Sequence, residues 1–215
     1  MSGTEPIVHI VDDDASFLVA SSRLLRAGGF AVKTFSSASE FFAQRDADAP
    51  GCVVADLQMP GMDGLDLQRA LSRTCNPLPI VFLTGHGDIA STVSAMRAGA
   101  EDFLEKRAPR HKLLEAVKRA LFSDAREREA RVRQREVREL FDALSARERE
   151  VLGHVVQGRL NKQIADDLGI RERTVKHHRT AIKMKLGVPS VAEITRLTQE
   201  AGIFIPPAPN FPKGQ

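Results

Sequence analysis

The sequence predicts an α/β part built on a parallel sheet of five strands, joined by a helical linker to a smaller all-α part. Three observations carry that reading. Short apolar runs alternate with helical patterns up to about residue 122, and strict alternation favours a parallel sheet with helices on both sides. Those runs are continuously apolar, as strands buried on both faces are. From residue 123 the chain turns charge-dense, and beyond residue 143 only helical patterns follow.

The elements follow in order. IVHIV (7–11), AVKTF (31–35), CVVAD (52–56), PIVFLT (79–84) and DFLEK (102–106) read as strands. A helix over 16–27 places Phe17, Ala20, Leu24 and Leu25 on one face, and Gly28-Gly29 stops it. Further helices fall near 37–44, 64–73, 88–98 and from 111 onward. SDAREREARVRQREVREL, from Ser123, has no Gly or Pro and alternates charge signs, which suits a helix. Its sparse apolar residues, Val132, Val137, Leu140 and Phe141, make no clean heptads. It reads as a solvated linker, or as a helix that pairs with its twin in a dimer. Ser145 and Glu148 have the spacing of a capping box, and Gly158 ends the helix they open. Asn161 is expected to cap a short helix closed by Gly169. A third helix spans about Glu172 to Leu186 before Gly187, and a fourth starts near Ser190. The stretch PPAPNFPKGQ, with four prolines, is expected to be disordered. The expected divisions are therefore 1–122, a linker over 123–143, a helical domain over 144–204, and a tail over 205–215.

Composition narrows the function. The 42% apolar content is ordinary for a folded soluble protein. No apolar stretch approaches the roughly 20 residues of a membrane span, and the first residues do not read as a signal peptide. Cys52 and Cys75 have no metal-ligand spacing, and Cys52 reads as a buried thiol. A cytoplasmic location without membrane contact is the expectation. Net charge is −2 over residues 1–122, zero over 123–143 and +5 over 144–215. That asymmetry points to a nucleic-acid partner for the basic end.

Parallel strands put their C-terminal ends along one edge, where ligands sit in open sheets. Asp12 and Asp13 follow the first strand, Asp56 ends the third, Thr84 ends the fourth, and Lys106 follows the fifth. Singly, each could be a helix cap or a surface charge; their convergence on one edge carries the argument. Crowded carboxylates resist ionising together. Mg²⁺ suits such a set, because it prefers oxygen ligands. Metal, lysine and hydroxyl could also spread the charge of a phosphoryl group. Asp56 then serves as nucleophile and forms an aspartyl phosphate. Pro60 and the neighbouring glycines turn the chain away and leave that carboxylate uncovered. His9 and His86 read as incidental, because no second ligand accompanies either.

VDDD, ADLQMPGMDG, LTGHGD and AGAEDFLEK resemble the receiver domain of two-component response regulators, over residues 5 to 122. The resemblance implies a flavodoxin-like fold with strand order 2-1-3-4-5, and Asp56 as phosphoacceptor. It implies Asp12, Asp13 and Asp56 as the metal-binding acids, joined by the Gln58 backbone carbonyl. Thr84 and Lys106 would contact the phosphoryl group, Phe103 would be the aromatic that turns inward when Thr84 moves, and a sensor histidine kinase would be the donor. One position departs from the pattern: Arg107 stands where the family usually has proline after the lysine. A cis bond before a non-proline costs about 2.5–4 kcal/mol, so a trans bond or a rearranged loop before Pro109 is expected.

In the third helix of the basic part, Val175, His178, Ile182 and Leu186 share one side, a core face. Arg173, Lys176, His177, Thr180, Lys183 and Met184 fall broadly opposite. A short helix, a tight Gly169 turn and a helix with a basic outer face make the layout of a helix-turn-helix, whose second helix enters the major groove. His178 reads as a core histidine and His177 as the better base reader. LSAREREVL, GRLNKQIADDLGI and RTVKHHRTAIKMKLGV resemble the LuxR-type helix-turn-helix. By that resemblance Lys176, His177 and Thr180 face bases of double-stranded DNA. Asn161, Lys162, Arg173, Thr174, Arg179 and Lys183 are candidates for phosphate contact. Arg171 stands where a serine usually caps this helix; arginine cannot accept from the free amides, and the lost cap costs roughly 1 kcal/mol. Glu172 in the first turn offsets part of that through the helix dipole.

Together the parts resemble FixJ/NarL-type response regulators. The implied function is a transcription factor controlled by phosphorylation, homodimeric when phosphorylated, with RNA polymerase as a further candidate partner. Two other readings stand beside it. An aspartate-nucleophile phosphohydrolase would need an acid/base carboxylate two residues after Asp56, where this chain has Gln58. A regulator that works without phosphate would make Arg107 a symptom.

Overall fold

The computed structural model describes residues 5–85, 89–200 and 202–203. His86 and the proline-rich stretch from residue 205 lie outside them. Contacts divide the chain into two compact units, meeting between Arg128 and Glu129.

In the first unit, β1 (Ile7–Val11), β2 (Ala31–Phe35), β3 (Gly51–Asp56), β4 (Ile80–Thr84) and β5 (Asp102–Glu105) alternate with α1 (Ala15–Ala27), α2 (Ala38–Gln44), α3 (Gly64–Ser72) and α4 (Ile89–Arg97). The sheet is parallel throughout, in the order β2-β1-β3-β4-β5. All six residues of β3, the central strand, are buried. Side chains alternate across the sheet. Val8, Ile10, Cys52, Val54, Val81 and Leu83 pack on one face against Leu25 of α1 and against Leu113, Ala116, Val117 and Ala120 of the helix after β5. Val11, Phe35, Val53, Ala55, Ile80 and Phe82 pack on the other, against Phe41, Leu67, Leu71 and Ala95.

One detail differs from the sequence-based expectation, and one bears it out. On α1 the buried stripe is Ser21, Ser22 and Leu25, while Ala20 is exposed. Ser22 tolerates burial because its hydroxyl donates to Val19 O at 3.1 Å. His9 is a core residue, 1 % exposed, with its ring 5.9 Å from Phe35 and 5.4 Å from Phe41.

The helix after β5 continues into the charged stretch as one element, α5 (Arg110–Asp142). Its root is fastened to the first unit. Asp124, 2 % exposed, accepts from Gly51 N at 2.9 Å and from Arg128 Nε at 2.8 Å. The same guanidinium donates to Asp48 O and Ala49 O. From Ala125 to Glu136 no residue is buried within the chain, which fits both a solvated linker and a helix that pairs with its twin.

In the second unit, Val137 and Phe141 join a core with α6 (Ala146–Val156), α7 (Asn161–Leu168), α8 (Glu172–Leu186) and α9 (Val191–Glu200). Ser145 and Glu148 form the expected capping box. Asn161 is not a cap: it is the first helical residue of α7, and Leu160 holds the cap position. There the Gln163 side chain accepts from Leu160 N at 2.9 Å, while Leu160 offers no side-chain acceptor to the first-turn amides. Gly169, at φ 63°, turns α7 into α8, a left-handed conformation that glycine adopts without a Cβ clash.

Candidate functional site

The loops that leave β1 and β3 bring three acids together. One carboxylate oxygen from each of Asp12, Asp13 and Asp56 lies within 4.8 Å of the other two. Asp12 is buried and Asp13 exposed. The third acid of the run, Asp14, has a different task. Its carboxylate caps α1 by accepting from Ser16 N at 2.8 Å and Phe17 N at 3.2 Å, while its own amide donates to Asp12 Oδ1 at 2.9 Å. The sequence reading left Asp14 without a role, although an Asp just before an apolar helical pattern is an N-cap signal.

Asp56 ends β3, and the chain then turns sharply. Gly61 takes φ 82°. Gly64 donates to Leu57 O at 2.9 Å, and a Cβ on it would stand 2.5 Å from Asp56 O. The turn therefore follows directly on the Asp56 backbone and leaves the carboxylate at the strand tip with only 8 % of the residue exposed. Asp63 starts α3 by accepting from Asp66 N at 2.7 Å.

Lys106, just past β5, reaches across this edge. Its Nζ is 2.8 Å from Asp56 Oδ2 and 2.7 Å from Asp12 Oδ2. The second contact is an ion pair whose carboxylate oxygen is fully buried. Burial raises the Asp12 carboxyl above its usual range, against the opposing pull of Lys106 and the Asp14 amide. Burial alone would lower Lys106, but the two carboxylates outweigh it and the ammonium stands above the usual lysine value. Lys106 is held at its backbone too, donating to Thr84 O at 2.8 Å. The Lys106–Arg107 bond is trans, as is every described peptide bond. The arginine therefore leaves the reach of Lys106 intact.

Thr84 ends β4, one residue past Leu83, the register partner of Asp56, and is buried. Phe103, on β5, is partly buried with its ring 6.1 Å from Phe82. Gln58 is exposed, and its amide lies 3.3 Å from Asp56 Oδ1. Three carboxylates with an oxygen each inside 4.8 Å of the others fit a small hard cation such as Mg²⁺.

In the second unit, α8 buries Val175, Ile182 and Leu186 and exposes Arg173, Lys176, His177, Thr180, Lys183 and Met184. His178, Arg179 and Thr174 are half-buried. Lys176 pairs with Glu172 at 3.3 Å on the surface. Arg171 makes no side-chain cap bond, as its chemistry requires. A concave surface of about 310 Å³ brings Asn161 of α7 beside Lys176, Arg179, Thr180 and Lys183 of α8. Lys162 is exposed on α7.

One polar cluster was missed by sequence reasoning. Lys185 Nζ lies 2.7 Å from Glu148 Oε2 and 3.2 Å from Ala143 O, which ties the end of α8 to the start of α6. No local pattern links residues so far apart in the chain.

Residues 8–118 match the family described as response regulator receiver domain, and residues 142–198 match bacterial regulatory proteins, luxR family. The chain is 42% identical over 199 residues to the response regulator protein TodT of Pseudomonas putida, covering 93% of this chain and 88% of that one. It is 38% identical to the transcriptional regulatory protein FixJ of Azorhizobium caulinodans, covering 91% and 93%. The solved structure of the response regulator StyR superposes with a TM-score of 0.79 at 45% identity, covering 91% of this chain and 99% of that one.

The chain is a response regulator of the FixJ/NarL type. This response regulator carries its acidic pocket in the receiver domain, where receiver domains generally bind Mg²⁺. Its α7–α8 pair lies within the luxR-family match, which implies DNA binding. Among the described residues, no helix is long and apolar enough to cross a membrane.

Proposed function

We propose that this regulator, located in the cytoplasm, takes a phosphoryl group from a sensor histidine kinase onto Asp56 and thereby changes its binding to DNA. The observation that carries this reading is Lys106 Nζ standing 2.8 Å from Asp56 and 2.7 Å from Asp12 at the open end of the sheet. Asp12, Asp13, Asp56 and the Gln58 carbonyl would hold Mg²⁺, which supplies charge neutralisation for the phosphoryl oxygens. Asp56 Oδ attacks phosphorus, the bond to the donor imidazole nitrogen breaks, and the freed imidazole takes up a proton from solvent. Lys106 leaves its ion pair with Asp56 and turns to the new phosphoryl oxygens. Thr84 follows with its hydroxyl, and Phe103 moves into the space it vacates. The face formed by α4 and β5 changes shape and favours a homodimer.

The functional division we assign is a receiver over 1–122, a linker over 123–143, a DNA-binding domain over 144–204 and a tail over 205–215. Lys176, His177 and Thr180 read base edges. Asn161, Lys162, Arg173, Thr174, Arg179 and Lys183 contact phosphates, and RNA polymerase is the downstream partner. The test is acyl-phosphate labelling read by intact mass, paired with DNA binding. Wild type is expected to gain one phosphoryl group, lose it in hydroxylamine and bind DNA more tightly. Equal labelling and equal binding by Asp56→Asn would sink the assignment.

A further inference from the structure

We infer that Phe17 is a positioning residue for phosphorylation: its ring seats the Lys106 ammonium and aims it at Asp56. The inference rests on the phosphoryl-acceptor reading above and adds a residue to it.

Lys106 Nζ lies 4.5 Å from the centroid of the Phe17 ring. That is well inside the range in which an aromatic face attracts a cation. The ammonium is thus gripped from two sides, by Asp12 and Asp56 on one and by an uncharged ring on the other. The difference matters once phosphate arrives. The carboxylate contacts must be exchanged for phosphoryl oxygens, whereas the ring contact can persist. A carboxylate in place of the ring would compete for the ammonium; a saturated side chain would not hold it.

The ring is itself fixed by the acidic run. Asp14, whose amide donates to Asp12, accepts from the Phe17 amide and sets the first turn of α1. The seat and the acid pocket are therefore built from one short segment, residues 12 to 17. The ammonium also has somewhere else to go. Beside the pocket lies a groove of about 500 Å³, lined by Phe17, Leu24, Leu83, Lys106 and Leu113 among others. The aromatic face, together with the two carboxylates, holds the ammonium at the rim of that groove.

The test uses the full chain with Phe17→Leu and Phe17→Tyr. Leucine keeps apolar packing and removes the ring; tyrosine keeps the ring. The first readout needs neither metal nor phosphodonor: the ε-methylene proton resonance of Lys106, assigned by its loss in Lys106→Met. It is expected to be shifted upfield by the ring current in wild type and Phe17→Tyr, and to return to the ordinary lysine position in Phe17→Leu. The second readout is the rate of phosphorylation by phosphoramidate at saturating Mg²⁺. It is expected to fall about tenfold in Phe17→Leu and to stay within about twofold of wild type in Phe17→Tyr. An unshifted Lys106 resonance in wild type overturns the inference, and so does a wild-type rate in Phe17→Leu. If Phe17→Leu does not fold, the wild-type resonance and the Phe17→Tyr rate decide alone. A shifted resonance in a wild type that phosphoramidate does not label overturns the acceptor reading and leaves the seat supported.

Discussion

His9 shows how a single buried side chain sets a pH limit on the receiver domain. It sits among Phe35 and Phe41, with Nδ1 3.3 Å from Cys52 O. Burial lowers its pKa from 6.5 to about 4, and the contact with the Cys52 carbonyl only partly opposes this. Between those values the unfolded chain binds a proton that the folded chain refuses, so stability is complete above pH 6.5 and falls as pH drops toward 4. The loss expected from this one group is about 3 kcal/mol. Urea melts of wild type and His9→Phe across that window check it. The wild-type midpoint is expected to fall more steeply than the variant's, and parallel curves would refute the assignment. A short, mostly apolar run placed His9 on a strand, but composition could not say that its neighbours on the sheet would be phenyl rings. The acids of the functional pocket were legible for a different reason: their positions follow from strand ends alone. Lys106 was legible by the same logic, whereas its seat on Phe17 depends on how α1 packs and had no local signal.

At the scale of elements, caps and breaks were readable because they are local chemistry. The Ser145 capping box and the Gly169 and Gly187 turns came out as the residue types demand. Asn161 did not: α7 starts one residue earlier than its side chain suggests, with Leu160 at the cap and the Gln163 side chain reaching back to Leu160 N. Contacts between distant segments were hidden, and two of them make predictions. Arg128 covers the buried Asp124 carboxylate at the root of the exposed stretch of α5. Arg128→Ala is expected to cost about 3 kcal/mol, because it strands a buried charge, whereas Glu136→Ala in the exposed stretch is expected to cost under about 0.5 kcal/mol. Chemical denaturation of the two variants compares them directly, and equal midpoints would show the clasp to be idle. Glu148 is the second case. Lys185 and then the Ser145 amide hold its carboxyl near pKa about 2, below the usual 4.5. Its contribution is therefore present above pH 4.5 and lost as pH falls toward 2. Glu148→Ala is expected to cost about 2 kcal/mol at neutral pH, from the cap and the ion pair together. Thermal melts at pH 7 should show that cost, and Lys185→Met, which leaves the capping box in place, should reproduce only the ion-pair part of it.

Across the whole molecule, charge is divided as function is: −2 over residues 1–122 and +5 over residues 144–215. If the acidic pocket takes the proposed phosphoryl group and the basic helix reads DNA, phosphorylation would alter DNA binding without touching the DNA. Two routes could do so, and they differ in one measurable number. Affinity for duplex DNA falls with salt on a logarithmic slope proportional to the phosphates neutralised, about −0.9 per contact. If phosphorylation joins two chains on adjacent half-sites, the contacted phosphates roughly double and the slope doubles with them. If it only frees a monomer that was already competent, affinity rises while the slope stays constant. The change expected at the α4–β5 face favours the first. The slope of phosphoramidate-treated wild type should therefore be about twice that of Asp56→Asn treated alike, measured by anisotropy from about 50 to 200 mM salt. Lys162→Ala should lower the phosphorylated dimer's slope by about 2, one contact per chain, and weaken all sequences alike. His177→Ala should leave the slope in place and relax the preference among sequences. A phosphorylation-dependent gain in affinity at constant slope would remove the dimer from the mechanism while leaving Asp56 as its trigger.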